Sequence, residues 1–256
     1  MDDKLDYLIN FLLKEMPEHK DEAELIHDKK ILFRALMNIR PPMKLDDGFL
    51  KVQDEYLSHE RDVKGVVDVD SIPEILPGIS LWQGDITRLK CDAIVNAANS
   101  LMLGCFIPCH RCIDNAIHSA SGLQLRDECN RIMTEQGQPE PVGHAKITGA
   151  YNLPAKHVIH TVGPYVAGEL TNEHCDSLRS CYVSCLELAE SHGLKSIAFC
   201  CISTGEFHFP NDMAAKIAVD SVLEFMKSSH SIKRVIFNVF KDLDMKIYEE
   251  ELMNHD

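Results

Sequence analysis

Four side chains able to hold a metal ion fall within eight residues: Cys105, Cys109, His110 and Cys112, in Gly104-Cys105-Phe106-Ile107-Pro108-Cys109-His110-Arg111-Cys112. Thiolates together with an imidazole are the donor set expected of zinc. The glycine and the proline place the set in a loop, and the short spacing lets that loop wrap a single ion. Three ligands with an open fourth position describe a catalytic centre. Four ligands, with Cys109 included, describe a closed structural centre, although such centres often join two separated pairs and no second pair is evident. Plain reduced thiols are the third reading of the same spacing.

Other segments suit an organic ligand. In Gly84-Asp85-Ile86-Thr87 a carboxylate follows a glycine turn, where it can accept from an exocyclic amine such as that of adenine. Val95-Asn96-Ala97-Ala98-Asn99 puts amide side chains at the carboxyl end of a predicted strand, within reach of a ribose diol. Ligands of open α/β sheets bind at such strand ends. Ser203-Thr204-Gly205-Glu206-Phe207-His208-Phe209-Pro210 lies between a predicted strand and a predicted helix. Consecutive backbone N–H groups in such a loop form an anion nest able to hold a pyrophosphate. Neither a Walker loop nor a GxGxxG fingerprint is present. Asp114 follows Cys112 by two positions at the start of a predicted helix. It can favour the helix dipole, or orient a water or a sugar hydroxyl beside a metal.

The elements that must position these groups fall into two parts. Residues 1–70 read as an acidic helical extension. Leu5, Leu8, Ile9, Leu12 and Leu13 share one helix face, a second helix is predicted over Glu22–Met37 before the Pro41-Pro42 pair, and a third over Gly48–His59. Residues 71–256 alternate strands and helices. Strands are predicted at Ile79–Trp82, Ala93–Val95, Ala145–Ala150, His157–Val162, Ser196–Ile202 and Arg234–Phe240. Helices are predicted at Ile113–Ala120, continuing after Ser121-Gly122 to about Thr134, then at Asp176–His192, Asn211–Lys227 capped by Asn211 or Asp212, and Asp242–Met253. This alternation argues for an α/β layer fold with a largely parallel sheet.

Composition narrows the classes. The 256 residues carry 26 Lys and Arg against 40 Asp and Glu, a formal net charge of −14. No basic footprint for nucleic acid or an anionic membrane is evident, and no run of 18 apolar residues suggests a membrane span. The N-terminus does not read as a secretory signal. An intracellular, cytoplasmic monomer is therefore expected, with the ten cysteines serving as buried thiols or metal ligands rather than disulfides.

Taken together, Gly84–Thr87, Val95–Asn99, Asp114–His118, Tyr151–Pro164 and Ser203–Phe207 resemble a macrodomain, over roughly residues 71–256. The resemblance implies a three-layer α/β/α fold with a mixed, largely parallel sheet. MacroD-type hydrolases carry a glycine-rich loop before the equivalent of Asp114, and this chain has the cysteine and histidine insertion instead. That departure resembles the zinc-dependent macrodomains, which also carry an N-terminal helical extension and remove mono-ADP-ribose from proteins. The resemblance implies that Asp85 binds the adenine amine with the Ile86 backbone nearby, and that Phe240 lies beside the base. It implies that Asn99 holds the distal ribose, that Ser203, Thr204, Gly205, Glu206 and Phe207 cradle the diphosphate, and that Phe207 also packs near the distal ribose. Asn99 and Asp114 would carry the catalysis. Cys105, His110 and Cys112 match the ligands of one zinc ion per chain, leaving Cys109 outside the pattern. The expected partners are ADP-ribose and a mono-ADP-ribosylated protein. The alternatives are an ADP-ribose reader without catalysis and an O-acetyl-ADP-ribose deacetylase. Retention of Asn99, Asp114 and the metal set favours an enzyme over a reader.

Overall fold

A computed structural model describes residues 1–255. The chain opens with helices α1 (Asp2–Glu15), α2 (Lys20–Ala23), α3 (Lys29–Ile39) and α4 (Asp47–Lys64). Leu5, Leu8, Ile9 and Leu12 of α1 are buried, as their spacing requires. With Phe33 and Leu36 of α3 and Phe49 and Tyr56 of α4 they form an apolar cluster of their own, which also takes in Leu123. The predicted helix over Glu22–Met37 is broken: the chain leaves α2 after Ala23 and restarts at Lys29. Asp28 explains the restart, because its carboxylate accepts from the backbone N–H of Lys30 at 2.8 Å and of Ile31 at 3.2 Å. An aspartate stabilises a helix as its N-cap and does little for it inside.

Beyond α4 comes β1 (Val67–Asp68), then β2 (Ile79–Gln83), β3 (Leu89–Lys90), β4 (Ala93–Ala98), β5 (Ala145–Gly149), β6 (His157–Val162), β7 (Ser196–Phe199) and β8 (Arg234–Val239). β1 and β3 pair in a short parallel ladder that ties the extension to the body, a feature too short to carry a sequence period. The remaining six strands form one sheet in the order β2-β8-β7-β4-β6-β5. All its neighbours are parallel except β5, which runs antiparallel to β6 at one edge. The central strands Ala93–Val95 and Val235–Phe237 are almost fully buried, as expected when helices cover both faces.

Helices α5 (Ile113–Ser121) and α6 (Leu123–Gln136) pack together on β4 and β5, with α3 and α4 outside them. Helices α7 (Asn172–Ser191), α8 (Asn211–Met226) and α9 (Asp242–Met253) pack in sequence, with α7 on β5 and β6 and α9 on β2 and β8. The result is helix, sheet, helix. Gly122 separates α5 from α6 with φ of 102°, and a Cβ there would come within 2.7 Å of Gln53 Nε2 on α4. Gln53 Oε1 accepts the Leu123 N–H at 3.0 Å, so the extension docks where the helix breaks. One expected helix start shifts and one expected cap changes. Thr171, in a capping box with His174, opens α7 a turn earlier than predicted. Asn211 does not cap α8; Pro210 occupies that position, and Asn211 Nδ2 donates to Asp244 Oδ1 of α9 at 2.5 Å.

Candidate functional site

The carboxyl end of β4 carries the chemistry. Asn96, the fourth residue of the strand, is fully buried and donates through Nδ2 to Asp114 Oδ1 at 2.8 Å. Asn99, just past the strand, donates through its own Nδ2 to Asp114 Oδ2 at 3.3 Å and to the Gly104 carbonyl at 3.1 Å. Its Oδ1 accepts from the Leu101 N–H at 3.0 Å, which fixes the amide. Both carboxylate oxygens of Asp114 are thus held from β4. Burial raises the Asp114 carboxyl to about 6, against the opposing pull of Asn96, Arg126 and Asn99.

Behind this pair lies a neutral polar layer. His160 of β6 places Nδ1 3.1 Å from Asn96 Nδ2 and Nε2 2.9 Å from Thr148 Oγ1. Burial lowers its imidazole to about 3, so it is uncharged near neutral pH. The contact with Asn96 Nδ2, a donor, makes Nδ1 the acceptor and puts the ring proton on Nε2. His118 of α5 lies 3.5 Å from Asp114 Oδ1 and is likewise lowered by burial. Its ring fills the space over Gly104, where a Cβ would sit 2.9 Å away at a φ of 82°.

The Cys105–Cys112 loop stands at the start of α5. Cys112 is the N-cap, its Sγ accepting from the Asn115 N–H at 3.4 Å. The donor atoms of Cys105, His110 and Cys112 all lie within 4.8 Å of one another. Cys105 Sγ and His110 Nδ1 are 3.6 Å apart. A sulfur and a nitrogen at their usual distances from a tetrahedral zinc stand about 3.6 Å apart, so the donor set and its spacing both fit that ion. His110 Nε2 faces Glu206 Oε1 at 3.8 Å, which sets the loop after β7 opposite the donor cluster. Burial raises the Cys112 thiol to about 12. Cys109 is turned away: its Sγ contacts the Ile31 carbonyl of α3 at 3.5 Å.

The residues expected to hold a nucleotide occupy the neighbouring strand ends. Ser203 is buried with a φ of 65° and an unpartnered Oγ. Thr204 Oγ1 donates to the Cys201 carbonyl at 3.1 Å, Gly205 and Glu206 are exposed, and Phe207 packs edge-on against Tyr165 at 5.8 Å. Asp85 and Phe240 lie past the ends of the paired strands β2 and β8. Asp85 Oδ1 accepts from the Thr87 N–H at 2.9 Å and Oγ1 at 2.7 Å, and Oδ2 pairs with Lys64 at 2.5 Å. Burial alone would raise this carboxyl, but Lys64 and Thr87 outweigh it and leave it below the ordinary range. Ile86 is buried, and Phe240 is 75% exposed. The structure thus joins Asn99, Asp114, the three metal donors and the Ser203–Phe207 loop at one end. Asp85, Ile86 and Phe240 follow the neighbouring strands β2 and β8 at the same edge of the sheet.

Asn96, expected from the sequence to reach a ribose diol, is instead fully buried and bonded to Asp114 and His160. Sequence reasoning missed two residues that hold this arrangement. His160 is a polar residue inside a buried apolar strand, a combination that calls for a partner. Arg126 gave no signal. It is 3% exposed in mid-helix, donates to the Leu103, Met37 and Arg40 carbonyls at 2.7, 2.9 and 2.6 Å, and stacks on Phe106 at 4.4 Å.

The sequence profile of the Macro domain family matches residues 95–218. A protein-ADP-ribose hydrolase from Treponema medium is 48% identical over 254 residues, spanning 95% of this chain and 96% of that protein. A protein-ADP-ribose hydrolase from Staphylococcus aureus (strain MSSA476) is 47% identical over 96% of this chain and 94% of its own length. Among solved structures, the Trypanosoma brucei macrodomain in complex with ADP-ribose superposes with a TM-score of 0.67 at 31% identity, covering 84% of this chain and 94% of that chain.

Proposed function

The chain belongs to the macrodomain family, and from that premise we propose that it is a zinc-dependent hydrolase that releases mono-ADP-ribose from modified proteins by cleaving the bond at the distal ribose. The observation that carries this reading is a convergence. The fixed Asn99–Asp114 pair, the Cys105–His110–Cys112 donors and the loop Ser203–Phe207 meet at one end of the sheet. The relatives named protein-ADP-ribose hydrolase, matched along nearly their whole length, support the substrate class.

In this reading Asp85, the Ile86 backbone and Phe240 hold adenine. The backbone amides of Ser203–Phe207 cradle the diphosphate, and Asn99 holds the distal ribose. Cleavage at the anomeric carbon develops positive charge on the sugar and negative charge on the leaving oxygen. Asp114, its oxygens already held by Asn96 and Asn99, is placed to stabilise the sugar or to orient the attacking water. Cys105, His110 and Cys112 would hold zinc, with Glu206 facing the outer nitrogen of His110. When bound, zinc supplies a Lewis acid that polarises an oxygen or lowers the pKa of a water.

We further place the protein in the cytoplasm as a monomer without nucleic-acid or membrane partners. Ten free cysteines support a reducing compartment. No helix among the described residues is long and apolar enough to cross a membrane. A substrate panel tests the activity: a mono-ADP-ribosylated protein, O-acetyl-ADP-ribose, and free ADP-ribose for binding. Release of ADP-ribose from the protein is expected. Binding without release would make the chain a reader, and acetate release alone would make it a deacetylase.

A further inference from the structure

The metal loop is held from outside the sheet domain. The Cys109 N–H donates to Asn38 Oδ1 of α3 at 2.9 Å, with Cys109 in a left-handed conformation at φ of 54°. A non-glycine residue keeps that conformation only where its surroundings impose it. Asn38 is 1% exposed and donates in turn to Ser119 Oγ of α5 at 2.9 Å. One turn earlier on α3, Arg34 Nη2 donates to the His110 carbonyl at 3.2 Å and to Asn115 Oδ1 at 2.7 Å. Asn115 Nδ2 then donates to the Ile107 carbonyl at 3.0 Å. Arg126 closes the frame, binding the last carbonyls of α3 and the Leu103 carbonyl ahead of the loop.

We propose that α3 is a positioning element for the metal centre: Arg34 and Asn38 hold the Cys105–Cys112 loop in its ligating shape before the ion arrives. The inference rests on the zinc reading above and deepens it, giving the N-terminal extension a role in that site. Neither residue supplies a metal donor or touches the Asp114 carboxylate. A loop ordered in advance loses less conformational freedom on binding, so its affinity is higher. The Cys109 backbone is the handle by which α3 grips the loop.

The test uses the full chain, stripped of metal by chelation. Zinc affinity is measured by competition with a chromophoric chelator. Exchange of the Cys109 amide is measured in the metal-free protein. Arg34→Met and Asn38→Leu are each expected to weaken zinc binding roughly 10- to 100-fold, the range for groups that orient ligands, and to speed exchange at Cys109. Asn38→Asp keeps the acceptor for the Cys109 N–H, and the Ser119 hydroxyl can donate to it instead. It is expected to restore both readouts, which separates positioning from general loss of packing. Unchanged affinity and exchange in cooperatively melting Arg34→Met and Asn38→Leu proteins would overturn the proposal. If the wild-type chain binds no zinc, the zinc reading fails by itself, and the exchange arm alone decides whether α3 holds the loop.

Discussion

The two ends of the site are built by different means. At the end proposed for adenine, Asp85 is a single carboxylate paired with Lys64 and accepting from Thr87, and Phe240 is an exposed ring. Behind them the support is mostly backbone: Asn238 Nδ2 donates to the Gly84 carbonyl at 3.0 Å and the Gly84 N–H to the Val239 carbonyl at 2.9 Å. At the end proposed for the reaction, Asp114 is fixed by Asn96 and Asn99, these stand on a buried layer with His160, and the Cys105–Cys112 loop is held from α3. Recognition of a base needs contact area and a few directed hydrogen bonds. Bond cleavage needs groups already in place when charge develops, and the buried hydrogen bonds among Asp114, Asn96, Asn99, His160 and Thr148 supply that rigidity.

The largest test of this contrast is Asp114→Ala. Release from a mono-ADP-ribosylated protein should fall by roughly 100- to 10,000-fold, the range for a positioned acid, base or electrostatic group. ADP-ribose affinity by calorimetry should change far less. Comparable losses in both would erase the distinction between the ends. Next, Cys112→Ala should yield a folded protein with little bound zinc and release lowered roughly 100-fold or more, as expected when several kcal/mol of charge stabilisation are removed. Full turnover in that folded, metal-free protein would make the metal a loop staple.

At the other end Asp85→Ala should weaken ADP-ribose binding by roughly 10-fold, the scale of one charged hydrogen bond, with saturated turnover nearly unchanged. A fall in turnover at saturating substrate would show that the adenine end also takes part in the chemistry.

The smallest effect concerns acid stability. His160 is held neutral by burial, with Cys129 3.8 Å away and the His118 ring centroid at 6.1 Å. A lowered imidazole stabilises the fold fully above its unfolded value of about 6.5. That contribution is lost as the pH falls toward the folded value of about 3. The melting temperature should therefore drop across this window, and His160→Gln should flatten the drop. An identical pH profile in the variant would show that His160 adds no acid sensitivity.

How far the sequence reveals these two ends differs as well. The strands β4, β6, β7 and β8 were readable as apolar runs, and Asp85, Asn99, Asp114 and Ser203–Phe207 as segments of one pattern, because each lies at a strand end or turn with a local signature. The donor set Cys105, His110 and Cys112 was readable from spacing. The exclusion of Cys109 follows in the structure from the Ile31 carbonyl, more than 70 residues away in sequence. Arg34, Asn38 and Arg126 were invisible for the same reason. A mid-helix arginine or asparagine looks like any solvated residue until a long-range contact buries it. The break between α2 and α3 was missed because an apolar period continued through Asp28, whose capping bonds prevailed.

The most direct test of the central claim is to follow ADP-ribose release from a mono-ADP-ribosylated protein while zinc is withdrawn stepwise and then restored, with bound metal measured at each step. The account predicts release proportional to the zinc held at Cys105, His110 and Cys112, recovered on re-addition, with ADP-ribose binding preserved throughout. Full release by a folded protein carrying no metal would contradict it.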